Sequence, residues 1–208
     1  MKKITIALIM VISLIAPIQT MAESVTQTGT IIEPLEQNIE QIIDEITSEP
    51  HPINSDAIQN VKEYISEYFG NLGYDNIEYQ KFEYNDENNE NAIRHSSQAD
   101  VFLASTAENA IVDGIGENII VTKNSSIDTT KNLIISAHYD SAEDSVGAND
   151  NGSGVAAVLE LARILKDTEM PYNIKFILFS GEEKYMLGSR WYVGNLSEDE
   201  RKQIIGVI

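Results

Sequence analysis

Cysteine is absent from the 208 residues. No disulfide can staple this fold and no thiolate can bind a metal, so any metal site must be built from His, Asp and Glu. Histidine is scarce, with three residues, and so are basic residues: 14 Lys and Arg stand against 33 Asp and Glu, a net charge of -19. Nothing in that balance draws the chain to phosphate backbones or anionic lipid, which disfavours nucleic-acid binding. The acidity reads as solubility rather than as a recognition surface. The length allows one sizeable core and disfavours a second domain.

The start of the chain reads as a targeting segment. Lys2 and Lys3 precede an apolar run from Ile4 to Ile18, and Thr20-Met21-Ala22 offers small residues where a signal peptidase reads. The run is short of the roughly 20 residues of a membrane span. Residues 1–22 are therefore expected to be a signal peptide, with the exported form starting at Glu23, released from the membrane and secreted; the short basic start suggests a bacterial source. Residues 23–54 read as a leader and a helix, and 55–208 as the main folded domain. Asn-x-Ser sequons at Asn124, Asn151 and Asn195 are what chance provides.

Ile39, Ile42, Ile43 and Ile46 recur at helical spacing, and Pro50 and Pro52 end that helix. Ser55 is a good N-cap for a second helix with the apolar stripe Ile58, Val61, Ile65, Tyr68 and Leu72, closed by Gly73. Tyr64, Tyr68 and Phe69 read as core. Strands are expected from Ile77 to Tyr84, at 98–104, from Ile119 to Thr122, from Leu133 to Ala137 and from Ile174 to Phe179, and residues 85–91 form a polar turn. A helix runs from Ser153 to Lys166. Ser197-Glu198-Asp199-Glu200 has the capping-box pattern, and Ile204 starts another strand. Alternating strands and helices imply an α/β sheet covered on both faces.

In such sheets the site lies beyond the carboxyl ends of the strands. Three polar clusters fall there. In Ser136-Ala137-His138-Tyr139-Asp140-Ser141, residues two apart in extended chain face one side, so His138 and Asp140 point together. His138 can bind a metal while Asp140 accepts from its other ring nitrogen, or it can be a satisfied structural histidine. In Gly147-Ala148-Asn149-Asp150-Asn151-Gly152-Ser153-Gly154, Asp150 lies near a helix N-terminus, where the dipole favours an anion. Its two oxygens suit it to bridge cations, and a plain helix cap is the alternative. In Ser180-Gly181-Glu182-Glu183, one glutamate can hold a metal while the other moves a proton, or the pair forms a solvated acidic turn.

The three clusters in this order, within SAHYDS, GANDNGSGVAAVLELARIL and IKFILFSGEEKYMLGSRWY, resemble the M28 family of zinc peptidases, which contains many secreted aminopeptidases. The resemblance implies a three-layer α/β/α fold of the phosphorylase/hydrolase-like kind with a mixed, mostly parallel sheet. It implies two zinc ions, with His138 on the first, Asp150 bridging and Glu183 on the second. Asp140 would orient His138, and Glu182 would be the general base. Peptide and protein N-termini are the implied substrates.

The family pattern also has an Asp ligand after the strand begun at Ile204 and a much later His, with substrate-binding residues between. Neither lies within the 208 residues, so the sheet is expected to be incomplete at its C-terminal end and the chain inactive alone. Catalytic zinc usually takes three protein ligands, and His51 and His95, read as surface residues, offer no substitute. Two rivals remain. One is a non-catalytic binding relative, which the missing ligands favour. The other is a glutaminyl cyclase, which shares the fold, although Asp150-Asn151-Gly152-Ser153-Gly154 looks more like the peptidase form.

Overall fold

The isoleucine spacing at 39, 42 and 46 gives helix α1 (Glu36–Ile46) one apolar face, and those three side chains are buried. Helix α2 (Asp56–Asn71) starts where the Ser55 hydroxyl accepts the Ile58 N–H, as the cap predicts, and buries Ile58, Val61, Ile65 and Phe69. Gly73 follows at φ 84, the left-handed conformation that ends a helix at low steric cost. The computed structural model describes residues 35–85 and 113–208. The signal segment, most of the 85–91 turn, His95 and the strand expected at 98–104 lie outside the described residues.

Five strands form one sheet in the order β1-β2-β4-β3-β5: β1 (Ile77–Tyr84), β2 (Gly114–Lys123), β3 (Asn132–His138), β4 (Asn173–Phe179) and β5 (Ile204–Val207). β3 runs parallel to β4 and β5, whereas β2 is antiparallel to both β1 and β4. Four strands therefore point one way and β2 alone opposes them, the mixed and mostly parallel sheet expected.

β2 begins at Gly114, five residues before the expected start. Gly114 and Gly116 are themselves paired strand residues, Gly114 opposite Tyr84 and Gly116 opposite Phe82. A Cβ on Gly116 would overlap the Phe82 ring, so glycine here makes room for a cross-strand aromatic.

Alternation along the strands feeds two cores. Ile119, Val121, Leu133, Ile135, Ile174, Phe176 and Leu178 pack under α1, α2 and helix α3 (Ser153–Leu165). Ile120, Ile134 and Ile177 face the other way and meet Tyr192 of helix α4 (Leu187–Asn195). Phe69 is fully buried, and Tyr64 and Tyr68 pack partly buried against the first core. Helix α5 (Glu198–Gln203) carries the capping box: the Ser197 hydroxyl accepts the Glu200 N–H while the Glu200 carboxylate accepts the Ser197 N–H. Both faces of the sheet are thus covered by helices, and the C-terminal ends of β3 and β4 lie side by side, His138 opposite Phe179.

Candidate active site

The strand ends fix the site. Beyond the His138–Phe179 pair, the Tyr139 N–H still bonds the Phe179 carbonyl at 2.9 Å, so the two chains leave the sheet together. Asp140 follows, almost wholly buried. Its carboxylate accepts the backbone N–H of Glu182 (3.0 Å) and of Glu183 (3.2 Å). A buried charge is tolerable only when hydrogen-bonded, and here the bonds tie the loop after β3 to the loop after β4.

His138 is buried at the same edge. Its Nδ1 lies 3.1 Å from the backbone carbonyl of Asp140 and 3.7 Å from the Asp140 carboxylate, so the close orienting contact comes from the main chain. With a proton on Nδ1 for that carbonyl, Nε2 faces Asp150 Oδ1 at 3.0 Å, with Glu182 Oε2 at 3.9 Å. Burial alone would lower the imidazole pKa. Hydrogen bonds and charges from Asp140, Asp150 and Glu182 outweigh it and lift the group to about 9. At neutral pH His138 is therefore a cation among carboxylates.

Asp150 stands in a tight turn, Ala148–Gly152, that leads into α3. Gly147 opens the turn at φ 67, where a Cβ would stand 2.9 Å from both Asp150 O and Ser141 Cβ. The Gly152 N–H closes it on the Gly147 carbonyl, and Asn151 Oδ1 accepts the Gly154 N–H at the start of α3. The Asp150 side chain is largely exposed. Glu183 joins the same field: burial raises its pKa, Asp150, Glu182 and Asp140 raise it further, and His138 opposes them.

The structure thus brings His138, Asp140, Asp150 and Glu182 into direct contact or within 4 Å, with Glu183 tied in through its backbone and its charge. Among the described residues, no three His, Asp or Glu side chains form a ready metal cage. The donor set nonetheless fits zinc. An imidazole whose Nδ1 is held by a carbonyl, aimed at a carboxylate, is the nitrogen-and-oxygen chemistry that zinc takes, and the excess of carboxylates calls for a cation.

Two supporting residues escaped the sequence reading. Asn118 of β2 is fully buried: its Oδ1 accepts the Ser180 N–H and its Nδ2 donates to the Gly188 carbonyl, holding both ends of the turn that carries the two glutamates. His51, expected at the surface, is buried. Its N–H donates to Ser141 Oγ at 2.9 Å, its carbonyl accepts the Ser141 N–H at 3.3 Å, and its Nδ1 contacts the Glu49 carbonyl. The segment between α1 and α2 is thereby strapped beneath the loop bearing Asp140. No sequence period marks it, because its partner lies 90 residues away.

The fold is shared with solved zinc aminopeptidases and glutaminyl cyclases. The chain superposes on BSAP, a zinc aminopeptidase from Bacillus subtilis, with a TM-score of 0.64 and 19% identity, covering 81% of this chain and 67% of that one. It superposes equally on a glutaminyl cyclase of an Acidobacteriales bacterium, at 0.66 and 17%, covering 89% and 61%. At such identities the likeness establishes the fold alone. Residues 118–208 match the model of Peptidase family M28. Aminopeptidase YwaD of Bacillus subtilis is 44% identical over 95 residues, 45% of this chain; the match spans 21% of that protein's length. No helix among the described residues is long and apolar enough to cross a membrane.

Proposed function

We propose that the protein is a secreted, zinc-dependent aminopeptidase that hydrolyses N-terminal peptide bonds. The observation that carries this reading is one imidazole, 3.0 Å from Asp150 and 3.9 Å from Glu182, at a strand edge with an excess of carboxylates. That field favours cations, both a metal and the α-ammonium of a peptide N-terminus. The match to Peptidase family M28 and the aminopeptidase relative support the reaction class. The basic start and apolar run before Glu23 support export.

His138, Asp150 and Glu183 would hold zinc, two ions with Asp150 shared between them. Bound zinc supplies Lewis acidity, polarising the scissile carbonyl and making water a stronger nucleophile. Glu182 is partly exposed beside this donor set, so it can meet the attacking water, take its proton and pass it to the leaving amine. Asp140 holds the backbone of both glutamates, and its carbonyl holds the His138 ring.

Glutaminyl cyclase is the second reading, favoured by the Acidobacteriales fold match. Assay of the zinc-loaded full-length protein on aminoacyl anilides and on peptides with N-terminal glutamine separates the two. Release of aniline from leucyl or alanyl substrates is the expected result. Ring closure of glutamine without hydrolysis of other residues overturns the peptidase reading.

A further inference from the structure

Helix α1 has no cap of its own. Leu35 stands at its N-cap position, with no side-chain oxygen to accept a bond. The carboxylate of Glu160, midway along α3, takes that place. Its Oε1 accepts the Leu35 N–H at 2.8 Å and its Oε2 the Asn38 side-chain amide at 3.3 Å. Arg163 donates to the same two oxygens at 2.7 and 2.8 Å. The Glu160 side chain is wholly buried, so the charge is kept by these bonds and by the positive end of the α1 dipole. One end of α1 is thereby fixed to α3.

The other end of α1 meets the candidate site. The Thr47 hydroxyl donates to the Ile43 carbonyl at 2.7 Å, which leaves its methyl group for packing. A Cβ on Gly152 would stand 2.8 Å from that methyl and 3.7 Å from Ile46 Cδ1, so the turn bearing Asp150 sits directly on the helix end. Four residues on, His51 pairs with Ser141 in both directions, N–H to Oγ at 2.9 Å and carbonyl to N–H at 3.3 Å. Ser141 is buried, and its Cβ lies 2.9 Å from where a Gly147 Cβ would stand. Ser141 thus touches the strap at His51, follows Asp140 in its loop, and supports the glycine that opens the Asp150 turn. His138 and Asp150, which face each other at 3.0 Å, rest on one brace that runs from Glu160 through α1 to Ser141.

We propose that α1 and the segment to His51 pre-form the metal site, with Ser141 and Thr47 as positioning residues that fix the spacing of His138 and Asp150 before zinc arrives. This inference rests on the zinc reading above and adds what holds the ligands in place. Neither residue needs to touch the ion. Ligands already held at binding distance lose little freedom when the ion binds, whereas loosened loops must be ordered by the ion itself, at the expense of affinity.

The test uses the full-length protein and three variants, Ser141→Ala, Thr47→Ser and Ile65→Val. Ile65 of α2 is fully buried in the first core, and its shortening is the control: like Thr47→Ser it deletes one methyl group, but away from the brace. Zinc affinity is measured by competition with a chelator, well below the unfolding temperature, and thermal unfolding is recorded on the chelated proteins. Ser141→Ala leaves the His51 N–H without its acceptor and should weaken zinc binding about tenfold. Thr47→Ser keeps the bond to Ile43 and should weaken it about threefold. Ile65→Val should unfold at a lower temperature yet bind zinc as the parent does. The inference is overturned if Ser141→Ala binds zinc within about twofold of the parent, or if Ile65→Val loses as much affinity as Thr47→Ser. Should Ser141→Ala fail to fold, the two methyl deletions decide alone, and equal zinc affinities overturn the brace. A parent protein that takes up no zinc overturns the zinc reading itself, and the brace with it.

Discussion

His138 Nε2 and Asp150 Oδ1 stand 3.0 Å apart although twelve residues separate them, one at the end of β3 and the other in the turn before α3. A metal ligand must be neutral imidazole, and against the effect of burial the carboxylates of Asp140, Asp150 and Glu182 together keep the ring protonated up to about pH 9. Zinc uptake therefore has to expel that proton. Zinc affinity should rise with pH across the range from about 6.5 to 9, with close to one proton released per ion at neutral pH from this site. Calorimetry in buffers of different ionisation enthalpy measures the release. A pH-independent affinity would contradict a protonated His138 among these carboxylates.

His138 and the carboxylates of Asp140, Asp150 and Glu182 also set a pH dependence of the metal-free fold. The folded pKa of about 9 lies above the ordinary 6.5, so the unfolded chain gives up this proton first. The stabilisation is fully present below about pH 6.5 and is lost as pH rises through 9. Its size is on the order of 2 kcal/mol, since part of it acts through the exposed Asp150 carboxylate and is screened. Urea unfolding of chelated protein at pH 6 and at pH 9.5 should show the drop, and His138→Gln should remove most of the difference.

Asp140→Asn should destabilise the fold by about 1–3 kcal/mol, because an amide offers only one acceptor oxygen to the N–H groups of Glu182 and Glu183. The urea midpoint should shift with an unchanged slope. An unperturbed midpoint would mean that the two loops are held by something other than this carboxylate.

Asn118→Ala leaves the Ser180 N–H and the Gly188 carbonyl without their buried partner, at a cost of about 2–4 kcal/mol. Gly188→Ala should be at least as damaging, since its Cβ would collide with Asn118 Oδ1 and the Ser180 carbonyl. Near-native stability in both variants would rule out the clamp.

Much of this architecture is written locally. Ser55 and Ser197 cap helices through neighbours three residues away, and the apolar runs of β3 and β4 mark buried parallel strands. The three clusters could be placed at strand ends for the same reason. What the sequence hid depends on distant partners. Asn118 is one polar residue inside an apolar strand, with its bonds 62 and 70 residues away. His51 is buried by Ser141, and Asp140 bonds the main chain of Glu182 and Glu183, contacts with no periodicity to betray them. Helix α4 was missed because Leu187–Asn195 holds two glycines and has only a weak apolar face; it forms where Leu187 and Tyr192 meet the sheet.

The division of labour between Glu182 and Asp150 is the centre of the account, and two substitutions compared side by side test it. Glutamine at 182 keeps the shape of glutamate but cannot take a proton from water. Asparagine at 150 has one good ligating oxygen and cannot bridge two cations. Metal analysis and steady-state kinetics on a leucyl anilide are measured in parallel for Glu182→Gln and Asp150→Asn of the full-length protein. The account predicts that Glu182→Gln keeps its zinc while kcat falls by about 10²–10⁴, whereas Asp150→Asn loses zinc. Near-normal turnover in Glu182→Gln, or full zinc content in Asp150→Asn, would contradict it.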